Sequence, residues 1–396
     1  MFKDIKKAAI AIAVILFANI AFASAAAVFA QKEEQKSENG EKSAMELSAP
    51  SAILIEQSTG KVLFEKNADE QLPPASVTKV MTMLLVMEAV DSGKISFDDM
   101  VTGSENAKSM GGSTIFLDAG EQMSVYDLMK GVAVASGNDA AVALAEFVAG
   151  SEEGFVEMMN KRAQELGMTN TTFKNPNGLD TQGHLTTARD IAVMSAELLR
   201  HKKIFEFTTI WMDSLRDGKF TLANTNKLIR FYDGANGLKT GSTSIAKNCI
   251  SASAMRNDMQ LIAVVMAAPT SAQRFADAKK LLDYGFANYC VSKAVNAGED
   301  MGRADVVKGL ESSVAAAAKD NFCVLTRKGE NGDIRCENVF NENINAPVND
   351  GDEIGKINIY KGDSLIGDVS IVAVGGVKKL TYYAMVSKLL RKWVCF

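Results

Sequence analysis

The strongest constraint on this chain is a mostly apolar run, residues 77–90, that follows Pro73-Pro74 and stops at Asp91-Ser92-Gly93. The run is too long for a strand and is apolar on nearly every face, so it reads as a helix buried on all sides. Such a helix has to be enclosed by other elements. The chain has 396 residues, 47% hydrophobic and 23% charged, which gives room for two domains and a sizeable core.

The enclosing elements follow from pattern. Residues 51–56 and 61–65 alternate on either side of Gln57-Ser58-Thr59-Gly60, a hairpin signal. Ser124-Val125-Tyr126-Asp127 opens a helix with capping-box-like S-x-x-D spacing. That helix runs to about Ala135, breaks at Ser136-Gly137 and resumes over 139–149 before Gly150. Amphipathic spacing predicts helices over 154–166 and 188–201. Strands are expected over 237–243, 249–255 and 260–267, then a helix over 272–286. Two strands, several helices, three strands and a helix imply an α+β fold, an antiparallel sheet flanked by helices, with the first and last strands able to pair. After about residue 291, short alternating segments separated by Gly- and Asn-containing turns predict a small all-β domain.

The ends carry their own signals. Lys3, Lys6 and Lys7 precede an apolar stretch over 8–23, and Ala23, Ala25 and Ala30 give small-residue cleavage sites. Residues 1–30 therefore read as a cleaved export signal, with a retained anchor as the alternative. Residues 31–46 are polar and read as a flexible spacer. The expected organisation is then a main domain over 47–290, a β-rich domain over 291–379 and a terminal helix over 380–396. In that helix Tyr382, Val386, Leu389, Leu390 and Trp393 form an apolar stripe, with Lys388, Arg391 and Lys392 off it. An aromatic-edged, basic amphipathic helix suits a membrane interface; packing on the β-rich domain is the alternative. The expected location is extracytoplasmic, peripherally attached to the outer face of the cytoplasmic membrane.

Net charge of −5 gives no sign of a nucleic-acid binder. Two histidines leave a metal site or a Ser-His triad poorly supplied, so no metal and no cofactor is expected. The cysteines number five, so at least one is unpaired within the chain. Cys323 and Cys336 are candidates for a local disulfide, and most of the others read as small buried hydrophobes.

The chemistry begins at Ser76-Val77-Thr78-Lys79, at the start of the buried helix. Positions i and i+3 share a face, so hydroxyl and amine can meet. Burial penalises the ammonium and so can supply a neutral amine, while the helix N-terminus favours negative charge on the serine oxygen. These are the parts of a serine nucleophile activated without histidine. Alone, the motif is weak and reads more readily as an N-capping serine and a solvated lysine. Ser136-Gly137-Asn138 in the helix break and Lys239-Thr240-Gly241 on a strand complete the ordered set S-x-x-K, S-x-N and K-T-G, which serine acyl-transfer enzymes arrange around one cleft.

With these motifs the chain resembles the low-molecular-mass penicillin-binding proteins that act as D-alanyl-D-alanine carboxypeptidases. The matching stretches are Pro74-Ala75-Ser76-Val77-Thr78-Lys79-Val80-Met81-Thr82, Ala135-Ser136-Gly137-Asn138-Asp139-Ala140, Asn175-Pro176-Asn177-Gly178-Leu179-Asp180 and Gly237-Leu238-Lys239-Thr240-Gly241. The resemblance implies the fold of serine β-lactamases over 47–290, with the small β-rich domain and anchor helix behind it. It implies peptidoglycan stem peptides ending in D-Ala-D-Ala as substrate, β-lactam antibiotics as acylating mimics, and no cofactor. Ser76 would be the nucleophile, Lys79 its base and Ser136 a proton relay. Asn138, Lys239, Thr240, Gly241 and Ser242 would bind substrate, with the Ser76 and Ser242 N–H groups as the oxyanion hole. Ala246-Lys247-Asn248 departs from the Ala-Gly-Tyr often found there, which bears on substrate preference. His184 reads as a structural or loop hydrogen-bonding residue and His201 as a helix end.

Alternatives remain. A β-lactamase of class A would carry S-D-N and an extra glutamate, and no E-x-x-L-N-like segment is present between the second and third motifs. A transpeptidase of the same fold, a decayed wall-binding protein and a purely structural membrane-attached protein complete the set.

Overall fold

The structure is a computed structural model that describes residues 45–330 and 333–386. The expected export signal, nearly all of the spacer and most of the terminal helix lie outside these residues. The main sheet has five strands: β1 (Ser51–Glu56), β2 (Val62–Lys66), β3 (Ala235–Thr243), β4 (Lys247–Arg256) and β5 (Met259–Ala268), in the order β2-β1-β5-β4-β3. All neighbours are antiparallel. The first and last strands do pair, with Ser51 opposite Met266 and Ile53 opposite Val264.

Both faces of this sheet are covered, which explains why β5 is apolar without alternation. Ile53, Ile262, Val264 and Met266 point into one core with the buried helix. Leu54, Leu261, Ala263 and Val265 point into the other, under a C-terminal helix. The helices are α1 (Lys79–Asp91), α2 (Val125–Val134), α3 (Asn138–Ala149), α4 (Glu152–Glu165), α5 (Ala188–Leu198) and α6 (Ser271–Asn288). The run expected over 77–90 becomes α1 preceded by a 3-10 turn, Ala75–Thr78. From Lys79 to Met87 every α1 side chain is buried, as its composition demands. Helix α6 closes the opposite face through Ala278, Leu281, Leu282 and Phe286.

Local signals place the helix starts. Ser124 Oγ accepts the N–H of Asp127 at 3.1 Å, Ser151 Oγ that of Gly154 at 3.1 Å and Thr187 Oγ1 that of Asp190 at 3.0 Å. Gly150, at φ +86°, ends α3. Two short hairpins went unread in the sequence: Met100–Thr102 with Gln122–Ser124, and Met212–Leu215 with Phe220–Ala223.

The C-terminal part is all β: a six-stranded sheet, and a pair made by Tyr289–Val295 and Phe322–Arg327. It has its own apolar core, including Val314, Ile357, Ile359 and Ile371. Leu325 joins the α6-side core of the main sheet, and Lys328 Nζ donates to Phe286 O at 2.7 Å.

Two cysteine expectations change. Cys323 and Cys336 are free thiols, because Cys323 lies opposite Lys293 in the two-stranded pair while Cys336 lies opposite Ile359 in the larger sheet. Cys249 alone of the described cysteines is buried, and Cys290 and Cys336 are exposed on strands that face solvent on one side. The expected terminal helix begins within 381–386, and among the described residues no helix is long and apolar enough to cross a membrane.

Candidate active site

Ser76 and Lys79 sit on the 3-10 turn and at the first residue of α1. Side chains at i and i+3 eclipse on such a turn, so the lysine folds back over the serine. Lys79 Nζ lies 3.1 Å from Ser76 Oγ, 2.6 Å from Asn138 Oδ1 and 2.7 Å from Asn177 O. The Lys79 side chain is fully buried. Burial, reinforced by the nearby Lys239 charge and opposed by Asp139, holds its amine well below the ordinary lysine range.

The turn is clamped from two sides. Gly178 has φ +85°, and a Cβ there would lie 2.9 Å from Ser76 N. Gly241 of β3 packs from the other side, where a Cβ would lie 2.8 Å from Ser76 N and 2.9 Å from Pro74 O. Only glycine permits either approach. Below the turn, Lys174 N donates to His184 Nδ1 at 3.1 Å, so Nε2 carries the hydrogen and donates to Thr78 Oγ1 at 2.9 Å. Thr78 Oγ1 donates in turn to Ala75 O at 2.8 Å. Burial lowers His184 to about 4, and it acts here as a brace, as a loop hydrogen-bonding residue does.

Ser136-Gly137 forms the link between α2 and α3, with Ser136 at φ +64°. Ala75, beside Ser76, is at φ +49°. Such conformations cost about 1–3 kcal/mol each and persist where the surroundings enforce them. Beside Ser136, Asp139 fixes the start of α3. It is buried, and its carboxylate accepts the N–H groups of Ile115, Leu117 and Ala140 at 2.8–3.1 Å. Asn138 donates Nδ2–H to Gly111 O at 2.6 Å while its Oδ1 holds Lys79. The loop over 111–117 is thereby tied to the S-x-N turn. Ser136 is buried beside Asn138, but its hydroxyl bonds neither lysine.

Strand β3 is the sheet edge nearest the Ser76 turn. Lys239 is fully buried, donates to Thr240 O at 3.0 Å, and is lowered to about 7 by burial and by the Arg274 charge. Thr240 Oγ1 donates to Thr225 Oγ1 at 2.8 Å. The Ser242 side chain is exposed at the strand end, where Ser242 lies opposite Asn248. Arg274 of α6 donates Nη1–H to Gly241 O at 3.0 Å and to Cys249 O at 3.2 Å. Burial lowers it to about 10.

The structure thus gathers Ser76, Lys79, Asn138 and Gly241 into direct contact, with Ser136, Lys239, Thr240 and Ser242 around them. Sequence reasoning missed Asn177, Asp139 and Arg274. The stretch from Asn175 to Gly178 was available as a signal, but Asn177 contributes a backbone carbonyl, which no side-chain pattern marks. Among the described residues no cluster of His, Cys, Asp or Glu could hold a metal ion.

Residues 36–270 match the family described as D-alanyl-D-alanine carboxypeptidase, and residues 289–379 match the C-terminal domain of penicillin-binding protein 5. D-alanyl-D-alanine carboxypeptidase DacF of Bacillus subtilis is 45% identical over 352 residues, covering 88% of this chain and 90% of that protein. DacC of Escherichia coli is 35% identical over 342 residues, covering 84% and 85%. Among solved structures, penicillin-binding protein 5 of Haemophilus influenzae superposes with a TM-score of 0.71 at 34% identity, covering 85% of this chain and 99% of that one. By family match and by identity to these relatives, the chain belongs to the D-alanyl-D-alanine carboxypeptidase family of low-molecular-mass penicillin-binding proteins.

Proposed function

We propose that Ser76 is the nucleophile and Lys79 the base of a serine-type D-Ala-D-Ala carboxypeptidase that removes the terminal D-alanine from peptidoglycan stem peptides. One observation carries the reading: Lys79 Nζ has Ser76 Oγ at 3.1 Å and two carbonyl oxygens, Asn138 Oδ1 and Asn177 O, at 2.6 and 2.7 Å. A neutral amine has two N–H bonds and one lone pair. With both hydrogens given to the carbonyls, the lone pair faces the serine hydroxyl.

The steps follow. Lys79 takes the Ser76 proton as Oγ bonds to the carbonyl carbon of the penultimate D-alanine. The N–H groups of Ser76 and Ser242 receive the oxyanion. Ser136 passes a proton to the departing amine, the peptide C–N bond breaks and D-alanine leaves. Lys239 and Thr240 hold the terminal carboxylate, and Asn138 positions Lys79 and the substrate amide. Water, deprotonated by Lys79, then cleaves the acyl ester and restores Ser76. The free edge of β3 supports the docking of an extended peptide as an added strand. A penicillin would enter by the same first step; one neighbour, penicillin-binding protein D2 of Listeria monocytogenes, was solved in an ampicillin-bound form.

Residues 47–290 carry this chemistry in our reading, and residues 291–379 hold it away from a membrane. Export by residues 1–30 and attachment through 380–396 complete it. Tyr382 and Tyr383, 79% and 86% exposed at the start of the terminal helix, support an interfacial role. The test is D-alanine release from an N-acylated peptide ending in Lys-D-Ala-D-Ala, with the mature chain and its Ser76→Ala variant. Release that falls more than about a thousandfold in the variant supports the reading. Release that survives in Ser76→Ala, or none from the wild type while a fluorescent penicillin still labels it, contradicts it.

A further inference from the structure

Residues 111–117 belong to no helix or strand, yet they carry the groups that fix the S-x-N turn. Gly111 O accepts Asn138 Nδ2–H at 2.6 Å, Ser113 O accepts Asn138 N–H at 2.7 Å, and Asp139 takes the N–H groups of Ile115 and Leu117. A second charged side chain grips the same stretch. Arg216 donates Nη1–H to Ile115 O at 2.9 Å and Nη2–H to Phe116 O at 3.0 Å. Asp139 thus holds N–H groups, and Arg216 holds carbonyls, of one short span.

That span needs holding. Phe116 is at φ +55° and 73% exposed, so neither backbone preference nor its own burial keeps it in place. Ile115 is fully buried and packs so closely that a Cβ on Gly131 or Gly137 would lie 3.1 or 3.3 Å from its side chain. Gly112 lies against Asn138, where a Cβ would be 3.0 Å from Nδ2. Displacement of this loop therefore reaches Asn138, whose Oδ1 holds Lys79 Nζ at 2.6 Å. Arg216 is itself fixed. Its Nε and Nη2 donate to the two Glu121 oxygens at 2.7 and 3.0 Å. The hairpin strand before it is joined to α2 by Lys130, which donates to Ser214 O and pairs with Asp127 and Asp213, all at 3.1 Å.

We propose that Arg216 is a positioning residue for the reaction: by fixing the backbone of Ile115 and Phe116 it keeps Asn138, and through Asn138 the Lys79 amine, aligned with Ser76 Oγ. Arg216 acts through the loop alone, since its side-chain bonds go to Glu121 and the two carbonyls. A planar guanidinium spans two carbonyls and a carboxylate at once, which a lysine ammonium, with its single nitrogen, does not match. The proposal rests on the carboxypeptidase reading above.

The experiment is a double-mutant cycle on Arg216→Ala and Asn138→Ala, read by D-alanine release from an N-acylated peptide ending in Lys-D-Ala-D-Ala and by the rate of acylation with a fluorescent penicillin. In the wild-type background Arg216→Ala is expected to lower kcat about tenfold and leave KM within about twofold, the mark of a misplaced catalytic group. In the Asn138→Ala background the same change is expected to cost less than about twofold, because the route to Lys79 is already cut. A merely structural role predicts equal losses in both backgrounds, and that result, or wild-type rates in Arg216→Ala, would overturn the proposal while leaving the carboxypeptidase standing. If Arg216→Ala does not fold, Arg216→Lys takes its place in the cycle, keeping the charge beside Glu121 without the fork to both carbonyls; a loss confined to the Asn138 background supports the proposal, and equal losses or none overturn it. No release and no acylation by the wild type would sink both.

Discussion

The catalytic body and the C-terminal β part bury different things. Among the described residues, every buried polar or charged side chain lies at or before Asp277, and the buried set of the C-terminal sheets is apolar throughout. In the body, Lys79, Lys239, Asp139, Asn138 and Arg274 are all removed from water around one cleft. Isolated polar groups in such places are costly, and each of these five is hydrogen-bonded: Lys79 to Asn138 Oδ1, Asp139 to the N–H of Leu117, Lys239 to Thr240 O and Arg274 to Gly241 O. The C-terminal part holds itself together by alternation alone, as in Ile357, Ile359 and Ile371. Burial of polar groups, more than burial as such, therefore distinguishes the region of the proposed site.

That contrast can be broken by mutation. The largest effect is expected from Asn138→Ala, which removes one carbonyl from Lys79 and the bond to Gly111 O. Loss of about a hundredfold in kcat/KM for D-alanine release, with folding intact by circular dichroism, is the expected result, in the range of other polar groups that position catalytic atoms. A loss below about threefold would mean that the Lys79–Asn138 contact is incidental.

A smaller effect concerns pH. Lys239 is lowered from 10.5 to about 7, so its charge fades as pH rises through that value. A substrate carboxylate then loses its cation, and kcat/KM, which reports the free enzyme, is expected to fall on the alkaline side of about pH 7. Lys239→Arg keeps the charge and is expected to remove this limb from the profile, at the cost of a lower maximum. An unchanged limb would assign it to another group.

The smallest effect on activity is expected from the C-terminal part. Ile371→Ala is expected to destabilise it by about 2–5 kcal/mol in denaturant unfolding, through the cavity left in its core. The kcat/KM is expected to stay within about twofold of wild type, since no buried polar link joins that core to the cleft. A drop in activity matching the loss of stability would erase the distinction between the two regions.

The sequence made much of this readable, and unevenly. Unbroken apolar runs exposed β5 and α1, because both faces of the one and nearly all faces of the other are buried, and periodicity exposed the amphipathic helices around them. The three motifs were legible because chemistry needs those side chains at those spacings. The 3-10 turn was not, since its i, i+3 eclipse depends on contacts from Gly178 and Gly241. Arg274 looked like any residue of an amphipathic helix, and only the packing of α6 against β4 brings it under Gly241. Asp139 was quoted within a motif without a role, because its partners, Ile115 and Leu117, lie in a loop without periodicity. The local disulfide failed for a related reason: spacing places Cys323 and Cys336 close in sequence, and topology sends them to different sheets.

The most direct test of the central claim is the protonation state of Lys79. Burial holds its amine well below the ordinary 10.5, which favours the neutral form that the proposed base at Ser76 requires. The measurement is the rate constant for acylation of the wild-type chain by a fluorescent penicillin as a function of pH. The account predicts no climb toward the ordinary lysine range, and a decline on the alkaline side of about pH 7 as Lys239 loses its charge. A rate that climbs about tenfold per pH unit toward the ordinary lysine range would show that Lys79 is protonated at rest, and would contradict it.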